Sequence, residues 1–111
     1  EETTVNVESN SKPEKLVNPY PQVFSGPNAY QLFEKLHDTY KTTKTPLADY
    51  SFIYRKMYEE GYILESFRPQ MFINWISKVP YERNDLDKIK TIGNCSTDGK
   101  IQTYNMIKKS L

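Results

Sequence analysis

Apolar side chains recur at helical spacing in three blocks of this chain, and a proline opens each block. Behind Pro27, Ala29, Leu32, Phe33, Leu36 and Tyr40 follow i, i+3, i+4, i+7, i+11, which is one face of a helix capped by Ser25 or Gly26. The run Thr42 to Thr45 loses the period, and Thr45-Pro46 reads as an N-cap with proline at the first helical position. Leu47, Tyr50, Ile53, Tyr54, Met57 and Tyr58 then carry a second stripe over about Pro46 to Glu60. Gly61 ends it in a left-handed closure that turns Tyr62 back onto Met57. After the apolar link Tyr62-Ile-Leu64, a third helix opens at Ser66 or Arg68 with Pro69 in its first turn. Phe72, Trp75, Ile76 and Val79 form its buried stripe, and Pro80 stops it.

The remainder is less regular. Leu86 and Ile89 predict a short helix from Asp85 to Thr91, closed by Gly93. Ile101, Tyr104 and Ile107 predict a last helix over Lys100 to Lys109, capped by Thr97 or Asp98. Gln102, Tyr104 and Met106 also alternate as in a strand, but the helical period covers more of the segment. At the other end, Glu1 to Pro19 is built of Glu, Thr, Asn, Ser, Lys and Pro, which bury too little apolar surface to offset ordering entropy. It reads as a flexible tail or linker. Asn18 to Phe24 reads as an extended strap laid on the helices through Tyr20, Val23 and Phe24. It lacks the PxxP spacing of a polyproline ligand.

The expected architecture is all-α: one small bundle of four or five short helices over residues 20–111, behind a disordered tail at 1–19. Its core is expected from Leu32, Phe33, Leu36, Ile53, Met57, Phe72, Trp75 and Ile76, with Trp75 central in the third stripe. Composition sharpens this picture. Only 37% of the 111 residues are hydrophobic, yet nine Tyr, five Phe and Trp75 bring aromatics to 14%. Rings must therefore supply much of the buried area.

Charge and cysteine content remove function classes more than they add them. The net charge of +1 argues for no polyanionic partner. Residues 1–26 hold four Glu against two Lys, residues 27–77 six acids against six bases, and residues 78–111 four acids against seven bases. Cys95 is the single cysteine, so no intrachain disulfide forms, which is compatible with the expected cytoplasmic location. No apolar run approaches the roughly 18 residues of a membrane span. The chain opens on Glu1 without the features of a signal peptide and is expected to be part of a larger or multi-component protein.

Candidate chemistry is sparse. Glu34-Lys-Leu-His37 has the Glu-x-x-His spacing of di-iron bundles, but His37 is the only histidine and such sites need two pairs. Cys95 has no activating neighbour in sequence, which leaves a thiolate pair with His37 as its sole catalytic reading. There is no Gly-x-Ser-x-Gly turn and no phosphate-cradling glycine loop. Asn94-Cys-Ser96 matches the glycosylation tripeptide, a pattern common by chance. Glu59-Glu60 lies near a helix C-terminus, where the dipole disfavours it. Neither a cofactor nor a metal site is expected, and the chain reads as non-enzymatic.

One local pattern carries a resemblance. The run Phe52-Ile-Tyr-Arg-Lys-Met-Tyr-Glu-Glu-Gly-Tyr-Ile63 resembles the phrase with which winged-helix DNA-binding domains end their recognition helix. The resemblance implies Arg55 and Lys56 as groove-facing cations and Arg68 as a phosphate contact from the wing. It covers about a dozen residues. It departs where a β-hairpin wing should follow, since Pro69 to Val79 reads as helix, and where Gly61 to Arg68 exceeds a tight helix-turn-helix connection. Lys88, Lys90, Lys100, Lys108 and Lys109, interleaved with Ile101 and Tyr104, form a second candidate basic face. The expectation is a helical interaction domain that binds a protein through exposed aromatics. The alternative is a nucleic-acid-binding regulator, and Arg55, Lys56, Arg68, Lys108 and Lys109 are the candidate contacts for either partner.

Overall fold

In a computed structural model, which describes residues 17–111, five helices follow one another: α1 (Pro27–Tyr40), α2 (Pro46–Glu59), α3 (Pro69–Ile76), α4 (Ile92–Cys95) and α5 (Asp98–Lys109). The expected all-α architecture holds, and the tail expected at 1–19 lies outside the described residues up to residue 16. α2 is the central element. Tyr50, Phe52, Ile53, Tyr54 and Met57 are all buried, together with Asp49 and Ser51, so the helix is enclosed on several sides as only a core helix is. α1 and α4 pack directly against it. α3 meets it where the Tyr54 and Phe72 rings lie 5.1 Å apart, and α5 where Phe52 and Tyr104 meet edge to face at 6.1 Å.

The stops read from the sequence work as expected at Gly61. Its φ is +81°, Tyr62 N donates to the Met57 carbonyl at 2.8 Å, and Gly61 N donates to Tyr58 at 3.2 Å. This is the Schellman pair of bonds, which satisfies the last carbonyls of α2. The chain then runs antiparallel to the strap. Ser25 N donates to Tyr62 O, and Leu64 N donates to Val23 O, both at 2.9 Å, forming one β-bridge between Phe24 and Ile63. Val23 and Phe24 are fully buried, so the strap is docked as the sequence predicts. Asn18 ties down its start by donating to the Phe24 carbonyl at 3.0 Å.

Several expectations need correction. The segment 85–91 is not helical; α4 begins only at Ile92, with Gly93 inside it. Leu86 is buried as expected, but the backbone here bonds to α2 side chains instead of to itself. Lys90 N donates to Ser51 Oγ at 2.9 Å, and Arg55 donates to the Lys90 and Ile89 carbonyls at 2.9 and 3.4 Å. Val79 does not belong to the buried stripe, because it is 76% exposed. Pro80 disfavours helical backbone at the preceding residue, and α3 therefore ends three residues earlier. Trp75, expected in the same stripe, is partly buried and packs against the core rings of Phe24, Phe33, Phe67 and Phe72. Thr45 holds the N-cap position of α2, but its side chain makes no capping bond. Its hydroxyl instead donates to Asp49 at 3.0 Å. Thr97 does cap α5, accepting from Lys100 N at 3.2 Å, which settles that segment as helix.

Rings do supply the core, and their polar ends are satisfied inside it. Tyr54 OH donates to the Phe67 carbonyl at 2.7 Å, and Tyr104 OH donates to Glu60 at 2.9 Å. Tyr50 OH is hydrogen-bonded to His37 Nδ1 at 2.9 Å. Each bond offsets the cost of burying a hydroxyl. Burial pushes the Tyr54 hydroxyl up to about 12, so these groups remain neutral donors at physiological pH.

Candidate functional site

Of the five cations singled out from the sequence, Lys56 and Lys108 are brought together at Glu60, whereas Arg55 turns to the 89–90 carbonyls. Arg55 is committed to the 89–90 carbonyls, with its guanidinium carbon 5.7 Å from the centre of the Tyr54 ring. Lys56 pairs with Glu60 at 3.6 Å, and Lys108 pairs with the same carboxylate at 3.0 Å. Burial pushes the Glu60 carboxyl up, but hydrogen bonds from Lys108 and Tyr104 outweigh it and hold the group below the usual range. Glu60 thus joins the end of α2 to α5. Lys109 is exposed at the end of α5, and Arg68 is exposed at the start of α3. No β-hairpin follows α2; the chain enters α3.

Of the second basic face, Lys100 is also engaged internally. It lies 3.0 Å from Asp49, a buried carboxylate that accepts from Thr43 and Thr45 as well. Burial pushes Asp49 up, yet the bonds from Thr43, Lys100 and Thr45 bring it below its ordinary value.

The residues weighed for catalysis are accounted for by packing. His37 stacks on Phe33 at 6.1 Å, meets Tyr81 edge to face at 4.9 Å, and bonds Tyr50. Burial lowers its pKa, and the Arg83 and Lys41 charges lower it further against the opposing pull of Glu34 and Asp38. Glu34 takes its hydrogen bond from Tyr81 OH. Cys95 is buried with Sγ 3.8 Å from the Ile92 carbonyl, and burial pushes its thiol up. No hydrogen bond joins it to His37. Among the described residues no three His, Cys, Asp or Glu side chains are placed to hold a metal ion, and no helix is long and apolar enough to cross a membrane.

A cleft of about 380 Å³ opens beside His37, lined by Lys41, Thr42, Tyr81, Arg83 and Asp85 among others. Arg83 is turned inward there. It donates to Asp85 and to the Lys41 carbonyl at 2.7 Å, capping the end of α1, and lies 4.5 Å from the centre of the Tyr50 ring. In the cleft wall Arg83 and Asp85 are thus paired with each other.

A different surface stands out for its chemistry. Tyr20 from the strap, Tyr30 from α1, Trp75 from α3 and Tyr81 from the loop beyond it are half-buried. Trp75 lies 5.1 Å from Tyr20 and 5.0 Å from Tyr81, and Tyr20 lies 6.0 Å from Tyr30. The rings form one continuous patch roofing Phe24 and Phe33, each of which touches Trp75. Met71, one turn before Trp75, is 48% exposed. The helical period alone misses this surface, because it does not bring Tyr20, Tyr30, Trp75 and Tyr81 together across the chain. A signal was present: residues 16–33 contain no charged residue, and residues 66–81 contain no Asp or Glu.

No protein-family model, curated protein or solved structure matched the chain. The functional reading therefore rests on the molecule's own geometry.

Proposed function

We propose that this chain is a non-enzymatic helical interaction domain of a larger or multi-component, cytoplasmic protein, and that it recognises a protein partner. The observation that carries the reading is the continuous half-buried patch of Tyr20, Tyr30, Trp75 and Tyr81. Tyrosine and tryptophan supply large rigid contact areas at low entropic cost and dominate the energetics of protein interfaces. The nucleic-acid alternative draws less support, since Arg55, Lys56 and Lys108 already serve contacts within the fold.

Photo-crosslinking tests this directly. A benzophenone side chain placed at Tyr30 of the full chain, with Asn105 on the exposed side of α5 as control, should give a protease-sensitive adduct from Tyr30 alone. A nuclease-sensitive adduct would transfer the function to nucleic acid. The absence of any adduct specific to Tyr30 would remove the patch from consideration.

A further inference from the structure

α5 is attached to the bundle differently from its neighbours. Four residues of α1 and seven of α2 are buried, but of the twelve residues of α5 only Tyr104 is. Ile101 and Ile107 pack against the core while staying partly exposed. The rest of the joint is polar and gathers at the two ends of α2. At the first end, Lys100 Nζ lies 3.0 Å from Asp49 and donates to the Cys95 carbonyl at 2.8 Å. At the other, Glu60 accepts from Tyr104 OH at 2.9 Å and from Lys108 Nζ at 3.0 Å.

Each carboxylate also has partners that do not belong to α5. Thr43 and Thr45 donate to Asp49, and Lys56 stands 3.6 Å from Glu60. When α5 leaves, both carboxylates keep these partners and gain water, and Lys100 and Lys108 return to solvent. Rehydration offsets much of what the pairs contribute, so this joint resists opening less than a broad apolar face would. Twelve residues are close to the length below which an isolated helix is marginal in water, so undocking melts α5. Burial, partial for Glu60, pushes both carboxyls up, but bonds from Thr43, Lys100 and Thr45 at Asp49 and from Lys108 and Tyr104 at Glu60 hold them below their ordinary values. Stability from a carboxyl lowered in this way is present above its unfolded value, about 3.9 for Asp and about 4.3 for Glu, and is lost as pH falls through the lowered one. Tyr40 and Tyr50 also face Asp49, and Glu59 and Tyr62 lie near Tyr104. On the α1 side, Glu34, Lys35 and Asp38 line a groove with Ile107 and Ser110.

We infer that α5 is a detachable clasp, held closed by the Asp49–Lys100 and Glu60–Lys108 pairs, which opens as a unit while α1, α2 and α3 stay folded. Opening lifts Tyr104 off the Phe52 ring, whose centre lies 6.1 Å from its own, and bares that side of α2. Neutralising the lysines or protonating the carboxylates loosens the clasp. Charge at the joint therefore sets how often α2 is uncovered.

Native-state amide exchange on the full chain, expressed as protection relative to the unfolded rate, tests the clasp. Phe72→Leu disturbs the core among Phe33, Tyr54 and Trp75, away from α5, and destabilises the bundle. It should lower protection in α1 and α2 and leave that of α5 unchanged. The Lys100→Met, Lys108→Met double variant keeps side-chain length and removes both charges. It should lower α5 protection about tenfold or more, and Glu60→Gln should lower it about threefold. Acidification from pH 7 to about 4 should lower α5 protection more in the unsubstituted chain than in Glu60→Gln. If α5 protection falls in step with α1 and α2 in Phe72→Leu, α5 opens only when the whole chain unfolds, and the clasp is overturned. Separate opening that ignores both the lysine variant and Glu60→Gln would overturn the role of charge. Should the double variant not fold, Glu60→Gln, at an exposed position, decides the same question.

Discussion

α2 and α3 begin alike and serve opposite ends. Each opens with proline at its first helical position and carries an aromatic stripe. α2 is surrounded, and its cations are spent inside the molecule: Arg55 holds the irregular segment at 89–90, and Lys56 shares Glu60 with Lys108. α3 is eight residues long, with Phe72 and Ile76 buried and Met71 exposed. A basic amphipathic helix can thus be a structural hub, while a less conspicuous neighbour leaves Met71 exposed. Whether side chains of the same type face core or solvent decides what they do.

The largest effect that sharpens the contrast is expected at Met57, fully buried on α2. Met57→Ala should cost about 2 to 5 kcal/mol, the range for buried large-to-small changes, read from the urea midpoint. Next comes Arg55→Ala, which leaves the Lys90 and Ile89 carbonyls without their charged donor. A loss of about 1.5 to 3 kcal/mol follows, with faster amide exchange at residues 89–92 as the local readout. A groove-facing role for Arg55 predicts instead little change in stability.

Gly61→Ala should cost about 1 kcal/mol. A Cβ there meets no neighbouring atom, so the whole penalty comes from holding a φ of +81°. Protonation of His37 is expected to act more gently. Its pKa is lowered in the fold, so the unfolded chain binds the proton more readily. Stability therefore rises with pH through the lowered pKa up to the ordinary histidine value near about 6.5 and falls on acidification through that window. His37→Gln should flatten that slope in urea titrations at a series of pH values. The smallest effect belongs to Met71→Ala on the outer face of α3, within about 0.5 kcal/mol. A loss there as large as at Met57 would break the comparison.

Much of the fold was legible because local rules governed it. Proline at the first turn and the apolar period gave α1 and α2 to within a residue, and Gly61 gave the stop. The segment 85–91 was misread because Leu86 and Ile89 suit a helix or an anchored coil equally. Arg55 and Ser51, thirty or more residues away, supply the backbone partners that choose the coil. Val79 was misread because periodicity continued past a point where Pro80 had already turned the chain. The candidate face was half legible: the acid-free segments were visible as composition, but their meeting at Tyr20 and Trp75 was not.

Periodicity, prolines and one glycine were enough to define an all-helical chain with an aromatic core, because those signals act between residues within a few positions of one another. Packing alone brought the strap against α3, engaged Arg55, Lys56 and Lys108 within the fold, and left Met71 exposed while Trp75 packs against Phe24 and Phe33. The reason is physical. Each of those outcomes depends on contacts between residues far apart in the chain, and a side chain's exposure is a property of what covers it.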